Sequence, residues 1–174
     1  MRWICTALLL AAAGCDRGGP PPDRAPAPSR LEVWAAIQPQ AERYRMDPAF
    51  IFALVAAESN FDPRAFNGRA RGLMQIKPEA WQAVSKLPYE PGVWSWKTNL
   101  EVGIDYLAYS RSYLHQKTEF SYPLLLASFH YGLDYVERRR FDIRRIPIPP
   151  NAIYRKLWAG NLAPVPPPTR TRGD

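Results

Sequence analysis

One carboxylate in this chain stands where carboxylates rarely do. Glu58 lies within the stretch from Met46 to Lys77, MDPAFIFALVAAESNFDPRAFNGRARGLMQIK, and nine consecutive apolar residues, Ala49 to Ala57, run straight into it. At the C-terminal end of an apolar helix, partial desolvation and the negative pole of the helix both disfavour the charged form of an acid. A carboxyl that keeps its proton near neutral pH is what a general acid needs, and cleavage of a glycosidic bond is the chemistry that one such group in an apolar setting serves. Taken alone, these residues leave a second reading open, in which Glu58 points outward from a frayed helix end. Asp62 follows too closely to act as a partner acid and reads as a loop cap.

The element that must position Glu58 starts at Asp47-Pro48, because the Asp side chain caps free N–H groups and Pro suits the first helical position. A helix that is apolar all round has no face for water and must be buried, and at roughly three turns it is too short to span a bilayer. The rest of the pattern is helical as well. Ser29 and Glu32 form a capping box, followed by Leu31, Trp34, Ile37, Ala41 and Tyr44 at helical spacing, with a kink expected at Pro39. Pro78 opens a short helix with Trp81 and Val84. Thr98 and Glu101 form a second capping box ahead of the stripe Leu100, Ile104, Leu107, Ala108, Arg111 and Leu114, with Tyr106, Tyr109 and Tyr113 beside it. Ser121 and Pro123 open a helix running to Tyr131, Gly132 interrupts it, and it begins again from Asp134 to Arg140. A last helix follows from Asn151 to about Trp158. No run of strict alternation competes, so the fold class is all-α.

Residues 1–14, with Arg2 and then a short apolar run, read as a secretory signal rather than a membrane span. Ala12-Ala13-Gly14-Cys15 resembles the lipobox of bacterial lipoproteins, although Ala12 stands where that motif usually has Leu. The resemblance implies lipidation of Cys15, with ordinary signal cleavage as the alternative; Asp16 favours retention at the inner membrane. Residues 15–29 are a Pro-rich tether, 30–162 one domain, and 163–174 a second Pro-rich tail that reads as disordered. With Cys5 in the signal and Cys15 lipidated, no cysteine is left for a disulfide. The two histidines, His115 and His130, make no metal-binding pattern, and no cofactor is implied.

The net charge of +7, concentrated at Arg138 to Arg140, Arg144 and Arg145, favours polyanionic partners. Export and the lack of any nucleic-acid-binding signature exclude nucleic acid, leaving anionic lipid head groups and the peptide carboxylates of a cell wall. A solvated basic face is the plainer reading of the same charges. The aromatic stretch from Leu87 to Trp96 suits either sugar rings or a packed core.

The segment Glu58 to Pro78 resembles the signature of lytic transglycosylases of the soluble-transglycosylase type. That pattern is met by Glu58, Ser59, Phe61, Pro63, Ala65, Gly72, Leu73, Met74 and Gln75. The segment from Asn99 (NLEVGIDYL), the segment from Leu124 (LLLASFHYGLDYV) and Tyr154 match later landmarks more loosely. The resemblance implies a lysozyme-like helical fold. It also implies cleavage of the β-1,4 bond between N-acetylmuramic acid and N-acetylglucosamine in peptidoglycan, with closure of a 1,6-anhydro ring. Glu58 would be the single acid/base, an arrangement that substrate assistance permits.

Substrate-binding roles carry over to Ser59, Asn67, Gln75, Phe129, His130, Tyr131 and Tyr154. Ser59 has a structural cap as its alternative, and Gly72 serves either close backbone approach to substrate or a turn. The chain differs from the pattern at Asn67 (commonly Ser), at Lys77 (often Met) and at Ser128 to Gly132, where Ala-Tyr-Asn-Ala-Gly is usual. It differs again at Pro150-Asn151, in place of Glu-Thr. The usual Tyr hydroxyl near the acid is absent at Phe129, with Tyr131 or His130 as replacements. The implied protein is periplasmic and lipid-anchored and acts on peptidoglycan strands, in general turnover or beside an envelope assembly machine. A muramidase that hydrolyses the same bond, and a weakly catalytic wall-binding module, are the alternatives.

Overall fold

Asp47 accepts the Ala49 N–H at 2.8 Å and Pro48 occupies the first turn, and from there α2 (Pro48–Ser59) runs with Phe50 to Ala56 all buried. These features belong to a computed structural model that describes residues 27–169. The expected signal, Cys15, most of the tether and the last few residues lie outside the described residues. Burial on every side of α2 is what its unbroken apolar sequence demands, and it is met by packing against α1 (Arg30–Tyr44) and α8 (Ala152–Trp158).

Among the described residues the fold is all-α. Between α2 and α8 lie α3 (Pro78–Val84), the single turn α4 (Tyr89–Gly92), the long α5 (Trp96–Gln116), α6 (Tyr122–Tyr131), α7 (Leu133–Arg138) and a 3-10 turn at Ile143–Arg145. Helix α5 packs against α1, α3 and α6, and α6 also meets α7 and α8. No described helix is long and apolar enough to cross a membrane. The only pairing of extended backbone among the described residues is two isolated bridges, Phe66 with Arg71 and Arg71 with Ile76.

Two local expectations are corrected. In α1 the capping box of Ser29 and Glu32 forms, but the buried ridge is Val33, Ile37 and Ala41, whereas Leu31 is 38% exposed. Positions four apart stack on one face, and the face turned to the core is the one carrying Val33. Helix α5 starts at Trp96 rather than behind a Thr98 cap. Ser95 Oγ accepts the Thr98 N–H at 3.4 Å and the Thr98 hydroxyl at 3.0 Å, which makes Thr98 a first-turn residue. Pro39 lies inside the continuous α1. Gly132, at φ 97°, joins α6 to α7 in a conformation that side-chain-bearing residues rarely adopt. Val165, within the Pro-rich tail, packs against the core.

The segment between α2 and α3 is fastened from behind by Asn99 on α5, which is fully buried. Its Oδ1 accepts the Met74 N–H at 2.8 Å, and its Nδ2 donates to the carbonyls of Arg71 and Val93, both at 3.0 Å. Gly72 lies directly against this amide at φ 76°, where an added Cβ would stand 2.4 Å from Asn99 Nδ2. The close approach that Gly72 permits is therefore to Asn99. Arg71 is buried beside it and pairs with Glu90 at 2.6 Å, under the rings of Phe66, Tyr89 and Trp94.

Candidate active site

Glu58 sits in the last turn of α2, before Asn60 turns left-handed at φ 51°. Its side chain is only 9% exposed, so it is turned inward and the frayed-end alternative does not hold. The Tyr154 hydroxyl donates to Glu58 Oε1, and His130 Nδ1 lies 3.8 Å from the same oxygen. Burial, and after it the charge of Glu58 and the hydrogen bond to it, hold the Tyr154 hydroxyl well above the usual tyrosine range. Tyr154 therefore holds its own proton and stands as a donor to Oε1 of Glu58.

Tyr154 reaches Glu58 because α8 is pinned to the end of α2. Asn151 Oδ1 caps α8 by accepting the N–H groups of Ile153 at 2.7 Å and Tyr154 at 3.3 Å, while its Nδ2 donates to the Ala57 carbonyl at 3.3 Å. One side chain fastens the helix that carries the donor to the helix that carries the acid.

Glu58 opens onto a cleft of about 140 Å³ lined also by Asn67, Ala70, Gln75, Lys77, Phe129, His130 and Tyr131. Six of the residues expected from the sequence therefore share one cavity. Phe129 contributes a buried ring packed on Tyr106 at 5.9 Å. The His130 ring meets Tyr131 and Tyr154 edge-on at 4.6 and 5.2 Å, and Tyr131 stacks on Tyr135 at 4.8 Å. The hydroxyl at the acid comes from Tyr154, not from Tyr131, and the imidazole of His130 stands second to it.

Ser59, Gln75 and Asn67 give polar atoms to the protein itself. Ser59 Oγ donates to the Leu73 carbonyl at 2.7 Å and ties the end of α2 to the motif loop, which is the structural alternative for this residue. Gln75 lines the cleft, but its Nε2 donates to the carbonyls of Ala65 at 2.8 Å and Gly72 at 3.0 Å, leaving Oε1 as the group it can offer. Asn67 Oδ1 accepts the Ala70 N–H at 3.0 Å, leaving the amide nitrogen. Much of the motif is thus scaffold. Phe61, Leu73 and Met74 are buried in the core, and only Glu58 and Gln75 of its nine matched positions line the cleft.

Three residues to which the sequence assigns no site role belong to the architecture. Lys77 lines the cleft and its Nζ donates to the His130 carbonyl at 3.2 Å. Its position two residues beyond Gln75, where the motif often has Met, was the available signal. Asn151 and Asn99 are the other two: the first stands at the expected start of the last helix and the second opens a segment resembling the family pattern, but neither position says which distant groups its amide holds. Among the described residues no group of three or more His, Cys, Asp or Glu is placed to hold a metal ion.

The arrangement can move one proton: a single sheltered carboxyl, backed by a phenol, faces a cleft with aromatic walls. The family model described as Transglycosylase SLT domain matches residues 35–141, from within α1 to just past α7, a span that includes Glu58. No curated protein matches the chain.

Proposed function

The chain belongs to the transglycosylase SLT domain family, and from that premise we propose that it is a peptidoglycan lytic transglycosylase with Glu58 as its acid/base. The observation that carries this reading is that Glu58, sheltered and hydrogen-bonded by Tyr154, is the one carboxylate among the residues lining its cleft. Glycoside cleavage by paired carboxylates needs a second such group on the opposite side of the bond, and substrate assistance does not.

The proposed cycle needs no water. Protonated Glu58 gives its proton to the glycosidic oxygen as the bond from that oxygen to the anomeric carbon of the muramic acid breaks. The substrate's own N-acetyl oxygen stabilises that carbon. Ionised Glu58 then takes the proton of the C6 hydroxyl while O6 bonds to the anomeric carbon, closing the 1,6-anhydro ring and returning Glu58 to its starting state. Through the ionised stage the Tyr154 hydroxyl donates to the carboxylate. Digestion of purified sacculi with mass analysis of the products tests the reading. Anhydro ends support it, new reducing ends assign hydrolysis instead, and binding without cleavage assigns a wall-binding module.

Tyr154→Phe keeps the ring and removes the donor. A hydrogen bond to a charged group contributes about 1.5–3 kcal/mol, so kcat is expected to fall roughly tenfold to a hundredfold with KM nearly unchanged. Thermal denaturation of the same variant should show the fold intact; an unaltered kcat would remove Tyr154 from the mechanism.

We place the enzyme in the periplasm on a lipid anchor at Cys15, with the Pro-rich segment after it as a spacer. Cys15→Ala is expected to move the protein from the membrane fraction to the soluble periplasmic fraction. Retention in the membrane fraction would reject the anchor.

A further inference from the structure

We propose that the groove leading away from Glu58 past Lys77 and Tyr131 is a second binding site, which takes the carboxylate-bearing peptide stems of the glycan through Lys77 and Arg138. The inference rests on the reading of the substrate as peptidoglycan. Beside the cleft at Glu58, sharing Gln75, Lys77 and Tyr131 with it, lies a gap of about 40 Å³, and next to that a hollow of about 390 Å³ between α3, α5 and α7. Lys77 and Tyr131 border all three spaces. A hollow of this size accommodates a small ligand or a short peptide segment. Its wall includes the stacked pair Tyr131 and Tyr135, the latter covered by the Arg139 guanidinium 3.3 Å from the ring centre.

The charges around the hollow do not cancel. Its cations are Arg69, Lys77 and Arg138, and its carboxylates are Glu79 and Asp134. Arg69 and Glu79 close on each other at 3.2 Å. Among the described residues neither Lys77 nor Arg138 forms an ion pair, and Lys77 Nζ meets only the His130 carbonyl, at 3.2 Å. Two cations are left against one carboxylate, Asp134. The sugar rings of a glycan strand are neutral and gain little from an unpaired ammonium or guanidinium. The stems that hang from the muramic acid end in carboxylates, and for these an excess positive charge beside the cleft is complementary.

The probe is a disaccharide carrying its peptide stem, with the peptide carboxylates either free or converted to amides, titrated into the full chain and followed by NMR shifts. Wild type is expected to bind the free-acid form about fivefold more tightly than the amidated form, the scale of partly exposed ion pairs. In Lys77→Met/Arg138→Gln that ratio should fall to about one, whatever the affinity of the variant for the amidated probe. Arg138→Gln alone changes an exposed side chain on a short helix and keeps the test open if the double variant folds poorly. A wild-type ratio of one, or a ratio that survives both substitutions, overturns the inference. Binding is read without turnover, so a protein that shows the ratio yet leaves sacculi uncut refutes the proposed activity alone.

Discussion

Glu58→Gln is expected to lower the rate of glycan cleavage by about a thousandfold, within the range that one general acid/base supplies, while the protein stays folded and still binds sacculi. The amide matches the carboxyl in shape, and its oxygen can accept the Tyr154 hydroxyl as Oε1 of Glu58 does. It has no proton acidic enough to give to the leaving oxygen and is too weak a base to take one from the C6 hydroxyl. Both halves of the proposed cycle therefore fail together. Stability should be unchanged or slightly higher, because a neutral amide in a site only 9% exposed is easier to bury than a carboxylate. The measurement is release of soluble fragments from sacculi alongside a thermal melt. Cleavage by the variant within tenfold of wild type would sink the assignment of the acid.

The largest loss of stability is expected from Asn99→Leu. Leu matches Asn99 in breadth and suits a fully buried position, so packing alone would call the change mild. The cost comes from the polar groups left behind. The Met74 N–H loses its acceptor, and the Val93 carbonyl loses a donor. The Arg71 carbonyl retains the Ile76 N–H at 3.0 Å and is the least affected. At about 1–3 kcal/mol for each of the two buried groups left without a partner, the expected loss is roughly 2–6 kcal/mol, a large share of the stability of a domain this size. Urea unfolding of the variant beside wild type reads it directly. Asn99→Asp separates shape from bonding: it keeps an acceptor for Met74 but sets a carboxylate against two carbonyl oxygens, so it should be no milder than the Leu variant. A loss under 1 kcal/mol for both would mean that the loop from Arg71 to Ile76 is held by something else. Activity should fall along with stability, since the same loop carries Gln75 and Lys77 to the cleft.

Helix starts were legible wherever a short polar side chain precedes a periodic segment. Ser29 with Glu32, Asp47 with Pro48, Ser121 with Pro123, and Asn151 all cap where their local chemistry places them. The start of α5 is ambiguous in the sequence because Ser95 and Thr98 are both able caps, one turn apart. The earlier start makes Trp96 the first helical residue, and that ring packs against the core, a preference no local rule registers. Leu31 and Val33 pose the same problem on α1. Both are apolar and both fit a helical stripe, and only the packing of α1 against α2 and α5 decides which one is covered.

The candidate site divides along the same line. The sequence by itself determined that α2 is buried, that Glu58 ends it, and that the motif to Gln75 follows, because an all-apolar run admits no other placement and the motif residues are neighbours in the chain. Only the tertiary structure decided that the hydroxyl at Glu58 is that of Tyr154, that the motif loop hangs on Asn99, and that Lys77 reaches the backbone of His130 to border the cleft. The partners in these contacts are separated by 96, 25 and 53 positions. Such pairs are chosen by how helices pack and by the need of each buried polar group for a partner, and neither quantity exists until the chain has folded.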